Sequence, residues 1–464
     1  MSESVIGDTL AALDPGDLRD WVERQRWYAS KSRHVTHVEL LEAVRLGEEP
    51  PLLVLALLQT GFATGTHELY QLSLGMRPAG SEGAPDTITQ TADWSVYDAL
   101  ADPALGRLLL RWVDETGELQ AEDGRFSFRR VDGRLELADD ATVRPMGVEQ
   151  SNSSIVFGEE LVAKLFRKLE PGVNPELEML RFLTTHAFEN IAPLYGWAEY
   201  EGRSLSATLI VVQRFFADGT GGWELALDEI TTEPDAFLER LGALGEVTAR
   251  MHTVLGADAS DPAFAPEEPS QEALSLLTAT VDEDIARIFA RLPDQPALEA
   301  IAGYGQDVQE RLSMLAKVGT GGRVIRTHGD YHLGQTLMTP RGWVILDFEG
   351  EPARSLPERR QKRSPLRDVA GMLRSFAYVA SAAEIQRGVK APDDWEERAR
   401  ETFLAHYLEH VEPNLLPHGE QAIINLLSVF ELEKAVYELR YEHDNRPDWV
   451  SIPVAGIKRL LDAS

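Results

Sequence analysis

The 464-residue sequence has no cysteine. Disulfide scaffolds, thiolate zinc sites, cysteine-ligated iron–sulfur clusters and cysteine nucleophiles are therefore excluded. Long apolar runs are missing too: the longest, Pro51–Leu58, falls far short of the ~20 residues that span a bilayer. Met1–Gly7 lacks both a basic stretch and an apolar core, so no secretory signal is expected. Basic residues are scarce. Lys and Arg number 45 against 76 Asp and Glu, a formal net charge of −31. Such a surface repels nucleic-acid phosphates and anionic membranes, so neither is an expected partner. A soluble, cytoplasmic protein is expected. An anionic ligand would need a few placed cations or a metal. The phosphate-binding patterns G-x-G-x-x-G and G-x-x-x-x-G-K-[ST] do not occur, nor do internal repeats.

What is present suits a folded chain. At 43% hydrophobic and 26% charged residues, the composition is globular rather than disordered. The length predicts two or three domains, each with its own core. The spacing predicts a helix within residues 8–30, and Asp14-Pro15 offers an N-cap with a first-turn proline. Strands are expected at Pro51–Leu58 and His67–Leu74, a loop at Pro78–Pro85 and a helix over residues 94–113. A β-rich stretch follows, with strands at Phe126–Val131, Arg134–Leu137, Ser154–Phe157, Leu161–Arg167 and Ala207–Gln213. Within it, Asn174–Phe188 has helical spacing. From about residue 223 the pattern is helical, broken by a hairpin over Thr339–Asp347. The acidic stretch Ala265–Glu272 reads as a solvated linker.

The densest chemistry lies in Thr327-His328-Gly329-Asp330-Tyr331-His332-Leu333-Gly334-Gln335, followed by Val344-Ile345-Leu346-Asp347-Phe348-Glu349. Phosphoryl transfer needs a carboxylate to orient the attacking hydroxyl, and an amide oxygen and a second carboxylate on a metal. Asp330, Gln335 and Asp347 supply those groups, and the apolar run would hold Asp347 at the end of a buried strand. A solvated turn with a hairpin is the plain alternative. A third reading makes His328, Asp330 and His332 transition-metal ligands of a hydrolase, which leaves Gln335 and Glu349 without a task. Lys164 sits inside the apolar run Leu161–Leu165. It must snorkel out or find an anion. Glu178 on the next helix is the expected partner, and an edge-strand lysine is the alternative. Gln150-Ser151-Asn152-Ser153-Ser154 reads as a loop between strands, with backbone N–H groups available to phosphate, or as an ordinary hairpin turn.

Two helical segments need weighing. His406-Tyr407-Leu408-Glu409-His410 matches the zinc-peptidase pattern H-x-x-E-H, but its apolar neighbours make an ordinary amphipathic helix. Phe430–Tyr441 places Lys434, Tyr437, Glu438 and Tyr441 at i, i+3, i+4 and i+7. Carboxylates and aromatics are the groups that bind sugars. A salt-bridged surface helix is the alternative there.

The joint set of motifs resembles the actinobacterial maltokinases. It comprises His328-Gly329-Asp330, His332 and Gln335; Asp347-Phe348-Glu349-Gly350-Glu351-Pro352; Arg24-Gln25-Arg26-Trp27-Tyr28; Pro171-Gly172-Val173-Asn174-Pro175; Ser364-Pro365-Leu366-Arg367-Asp368; and Glu433-Lys434-Ala435-Val436-Tyr437-Glu438. The similarity runs nearly end to end. It implies an α+β fold: a bilobal eukaryotic-like protein kinase with an N-terminal cap subdomain, a β-rich N-lobe and a mainly helical C-lobe. The implied divisions are residues 1–90 for the cap, 91–216 for the nucleotide-binding N-lobe and 217–464 for the catalytic and sugar-binding C-lobe.

The resemblance also implies roles. Asp330 would be the base. Gln335, Asp347 and Glu349 would hold Mg²⁺. Lys164, oriented by Glu178, would hold ATP phosphates beneath Ser151, Asn152 and Ser153. Gln213 and Phe215 would meet adenine at a hinge. Arg367 and Asp368 would tie down the catalytic loop. His332, Lys434, Tyr437, Glu438 and Tyr441 would surround the sugar. The implied reaction converts ATP and maltose to ADP and maltose 1-phosphate for α-glucan and glycogen synthesis. The cap is a candidate docking face for a trehalose-handling enzyme such as trehalose synthase. Another acceptor on the same fold, glucosamine above all, stays open, because a cation would suit so acidic a chain. A catalytically dead scaffold is disfavoured by the joint presence of Lys164, Asp330, Gln335 and Asp347.

Overall fold

Acid–proline pairs start the first two helices among the described residues. The computed structural model describes residues 13–81, 87–133, 140–147, 151–203, 205–270 and 321–462, with isolated positions between them. Asp14 accepts a hydrogen bond from Gly16 N at 2.7 Å and caps α1 (Pro15–Arg24). Asp102 does the same for Ala104 N at 3.0 Å and starts α2 (Pro103–Asp114). The helix expected over residues 94–113 therefore begins late, because Trp94–Asp98 is a strand. Its Ser95, Val96 and Tyr97 are buried, and Met76 pairs with Val96.

The chain divides into two units, the first formed by residues 1–181 and 192–217. Its first sheet contains β1 (Val35–Arg45), β2 (Leu52–Phe62), β3 (His67–Pro78), β4 (Thr87–Gln90) and β5 (Trp94–Asp98), in the order β1-β2-β3-β5-β4. Strand β2 is buried nearly throughout, which accounts for its continuous apolar run. Trp21, Trp27 and Tyr28 pack on this sheet with Leu58 and Tyr70. The second sheet contains β6 (Glu118–Gln120), β7 (Gly124–Arg130), β8 (Val143–Pro145), β9 (Asn152–Phe157), β10 (Leu161–Phe166), β12 (Leu194–Gly202) and β13 (Ser206–Arg214). Its order is β6-β7-β12-β13-β10-β9-β8, while β11 (Lys168–Leu169) joins β3 of the first sheet. Helix α3 (Pro175–Thr185) follows β11. Arg134, Glu136 and Leu137 lie outside the described residues, as do residues 1–12, 82–86 and 271–272, where parts of other expectations fall.

The second unit, residues 182–191 and 218–464, is mainly helical. Among the described residues its α-helices are α4 (Gly222–Thr232), α5 (Pro234–Leu255), the short α6 (Leu356–Arg359), α7 (Leu366–Arg387), α8 (Trp395–His410), α9 (Glu420–Asn445) and α10 (Ser451–Asp462). The expected hairpin is β15 (Thr336–Thr339) and β16 (Gly342–Ile345), joined by β14 (Thr220–Gly221). Trp343 anchors it through Nε1, which donates to Arg240 O at 2.7 Å. No helix among the described residues is long and apolar enough to cross a membrane.

Candidate active site

Buried polar groups hold the segment His328–Asp330 from two sides. Asp368, in the first turn of α7, accepts from His328 N at 2.7 Å and Gly329 N at 3.0 Å. His252 Nε2 lies 3.2 Å from Asp368, and its Nδ1 lies 3.0 Å from the Tyr407 hydroxyl. All three side chains are buried. Burial alone would raise the Asp368 carboxyl, but the His252 and backbone donors hold it below its ordinary value. On the other side, His328 Nε2 donates to Leu346 O at 2.9 Å, and Nδ1 accepts from Asp330 N at 3.4 Å. Both ring nitrogens are engaged, which removes His328 from any metal-ligand set. Glycine lets the two motif loops meet. Gly329 has φ +87°, and a Cβ there would stand 3.3 Å from Gly350 Cα.

The same loops bring Gln335 to Asp347. His332 caps the 3₁₀ turn Leu333–Gln335, its Nδ1 accepting from Gly334 N at 3.1 Å. Leu346 N donates to Gln335 O at 2.9 Å, and Gln335 Nε2 donates to Asp347 Oδ2 at 3.2 Å. Asp347 follows β16 with φ +61°, a left-handed conformation that aspartate tolerates better than most residues. Asp347 and Glu349 each offer a carboxylate oxygen within 4.8 Å of the other. Two carboxylates, with the amide oxygen once Gln335 is turned, would make a hard-oxygen set, which fits Mg²⁺ rather than a soft metal.

Around Asp330, charges alternate. Lys434 Nζ lies 3.1 Å from Asp330 Oδ1 and 3.2 Å from Glu351 Oε1. Arg354 Nε donates to Glu351 Oε2, and its Nη2 lies 3.4 Å from Glu433. Arg367 Nη2 lies 2.7 Å from the same Glu433 oxygen. These residues line one cleft with Tyr437. Burial would raise the Glu351 carboxyl, yet Lys434, Arg367 and Arg354 hold it down to about 2. Burial opposes the Lys434 ammonium, but Asp330 and Glu351 push its pKa above the ordinary value. Asp330 Oδ2 keeps a looser neighbour, His332 Nε2 at 3.9 Å.

In the first unit, Lys164 on β10 bonds Glu176 Oε2 at 2.6 Å. Glu176 stands two residues before Glu178, the expected partner. Helix α3 starts at Pro175, and Asn174 Oδ1 accepts from Glu176 N at 2.8 Å, so Glu176 is fixed in the first turn and buried. The expected loop at residues 150–154 is corrected. Gln150 lies outside the described residues and Ser151 is an exposed bend. Asn152 and Ser153 already belong to β9, paired with Phe166 and Leu165. Ser153 Oγ accepts from Arg167 Nε at 2.8 Å, meeting a need of a fully buried guanidinium. Gln213 is held in β13 opposite Val162, and Phe215 N donates to Glu160 O at 2.7 Å. The Phe215 amide is therefore not free for adenine.

Residues 142–400 match a family model described as the phosphotransferase enzyme family. The chain belongs to this family. Residues 21–102 match the maltokinase N-terminal cap domain. A glucosamine kinase of Mycolicibacterium smegmatis is 29% identical over 330 residues, covering 69% of this chain and 79% of that protein. A glucosamine kinase of Streptacidiphilus jiangxiensis is 26% identical over 329 residues, covering 68% and 72%. A solved glucosamine kinase in complex with glucosamine, ADP and inorganic phosphate aligns at 20% identity and TM-score 0.71, with 98% of each chain covered. That likeness shows the fold: the α+β bilobal kinase with an N-terminal cap implied by the sequence.

Within this phosphotransferase the expected sugar residues separate. Lys434 and Tyr437 line the Asp330 cleft. Glu438 instead accepts from Arg374 Nε and Nη2 at 3.0 and 2.7 Å. Tyr441 is exposed, with the Arg446 guanidinium 5.5 Å from its ring centroid. Arg367 reaches Glu433 while its neighbour Asp368 holds the loop. The H-x-x-E-H segment forms no ligand set among the described residues. His406 Nδ1 meets Glu246 at 3.0 Å, and Glu409 and His410 are exposed. Sequence reasoning missed Glu176, His252, and the place of Glu351 and Arg354 in the cleft. The available signals were weak: an acid in a first helical turn, a histidine among the apolar residues of a helix, and a second acid two positions after Glu349.

Proposed function

We propose that this phosphotransferase is a maltokinase, transferring the γ-phosphoryl group of ATP to the anomeric hydroxyl of maltose. The observation that carries maltose is the cap-domain match over residues 21–102. The chemistry is supported by Asp330, whose Oδ1 is held by Lys434 while Oδ2 has no hydrogen bond among the described residues. Oδ2 takes the hydroxyl proton as the anomeric oxygen bonds to the γ-phosphorus and the bond to the ADP oxygen breaks. Asp347, Glu349 and Gln335 would hold Mg²⁺, with the Gln335 amide turned to present its oxygen. Bound there, Mg²⁺ supplies neutralisation of phosphate charge. Lys164, oriented by Glu176, adds a cation for the nucleotide phosphates. The product, maltose 1-phosphate, suits α-glucan synthesis in the cytoplasm, with trehalose synthase as a partner for the cap.

A glucosamine kinase is the second reading, favoured by the glucosamine kinases of Mycolicibacterium smegmatis and Streptacidiphilus jiangxiensis among its relatives. A panel of sugars with ATP and Mg²⁺, read by ADP release, separates the two. Phosphorus NMR of the product then locates the phosphate. Maltose as the preferred acceptor, phosphorylated at C1, is the expected result. Preference for glucosamine overturns it.

A further inference from the structure

Each carboxylate lining the Asp330 cleft is already answered by this chain. Asp330 and Glu351 share the Lys434 ammonium at 3.1 and 3.2 Å. Glu351 also accepts from Arg354, and Glu433 from Arg354 and Arg367. Asp368 is filled by two backbone N–H groups and His252. A cationic acceptor therefore finds one open carboxylate oxygen here, Asp330 Oδ2, on a group whose other oxygen already holds an ammonium. It must also approach Asp330 Oδ2 past an ammonium already bound to the other oxygen. A neutral polyol meets the opposite situation. It carries no charge for Lys434 to repel, and its hydroxyls can donate to Asp330 Oδ2.

We infer that Lys434 is the specificity-determining residue of this phosphotransferase. Fixed between Asp330 and Glu351, its ammonium rejects 2-amino sugars by like-charge repulsion and admits neutral sugars. The inference rests on the sugar-kinase reading above and deepens it, giving the acceptor class a physical cause. Lys434 also positions the base, so substitution lowers turnover on every sugar. The discriminating quantity is the ratio of glucosamine to neutral sugar.

The full-length protein is assayed with ATP and Mg²⁺ on maltose, glucose, galactose and glucosamine, as wild type, Lys434→Gln and Lys434→Arg. Wild type is expected to use a neutral sugar best. Lys434→Gln should raise the kcat/KM ratio of glucosamine to that sugar by at least about tenfold, and Lys434→Arg should preserve the wild-type order. Where turnover is too low to measure, the same ratio is read from calorimetric Kd values. An unchanged ratio in Lys434→Gln overturns the inference, whichever sugar is used. Wild-type preference for glucose or galactose over maltose and glucosamine removes the maltose reading and leaves the Lys434 role standing. Wild-type preference for glucosamine removes both.

Discussion

Asp330 has two carboxylate oxygens in different circumstances, and that asymmetry sets its chemistry. Oδ1 is committed to Lys434 at 3.1 Å, which orients the group and, in the proposed reaction, leaves Oδ2 for the acceptor hydroxyl. Asp330→Asn should therefore lower kcat by roughly 10²–10⁴-fold, the usual contribution of a general base, with little change in nucleotide affinity. Asp347→Ala should also abolish turnover and, unlike Asp330→Asn, remove the Mg²⁺ dependence of nucleotide binding. Equilibrium binding with and without Mg²⁺ distinguishes the two variants. Glu351 gives a pH prediction. Its carboxyl is held down to about 2 from an ordinary 4.5, so its contribution to stability is complete above 4.5 and is lost as the pH falls through 2. Glu351→Gln should flatten the Tm–pH curve within that window. These residues differ in how far the sequence discloses them. Asp330, Gln335, Asp347 and Glu349 are legible because two short loops bring them together. Glu176 and His252 are not, because Lys164 and Asp368 reach them only through tertiary packing.

At the scale of elements, α9 carries two tasks on neighbouring turns. Lys434 and Tyr437 line the cleft, whereas Glu438 turns to Arg374 on α7. The full i, i+3, i+4, i+7 set does not share one small site. At 1.5 Å per residue, Tyr441 lies roughly 10 Å along the axis from Lys434. Arg374 is fully buried, so removing its partner leaves an uncompensated charge. Glu438→Ala should destabilise the protein by about 3–5 kcal/mol, read as a fall in Tm and denaturation midpoint. A direct sugar ligand would instead raise KM for the acceptor at unchanged Tm. The strands show the same division between what sequence discloses and what it hides. The apolar run of β2 is plain because both its faces are covered. Strand β12 also carries a signal, with Leu194, Gly196, Ala198 and Tyr200 buried at every second position, but glycine and alanine make it faint. Trp94–Asp98 reads as helix because leucines downstream extend the spacing, and pairing with β3 decides against it.

At the scale of the whole molecule, the net charge of −31 opposes the proposed anionic nucleotide while the proposed neutral sugar is indifferent to it. The cations available to phosphate are few and local, and Lys164 is already bonded to Glu176. Long-range repulsion from exposed carboxylates should therefore dominate nucleotide encounter at low salt. The screening length falls from ~30 Å at 0.01 M to ~8 Å at 0.15 M, so added KCl removes most of that repulsion while close buried pairs persist. Raising KCl across this range at fixed free Mg²⁺ should increase kcat/KM for ATP and leave that for the sugar unchanged. Thermal stability should rise in the same titration, because self-repulsion of the folded chain is screened too. A kcat/KM for ATP that falls with salt would mean that local cations govern encounter and that the global charge is silent. Glucosamine completes the logic. An acidic surface draws a cation in at low salt, so the proposed rejection of that sugar would have to arise within a few ångströms of Asp330, where Lys434 stands.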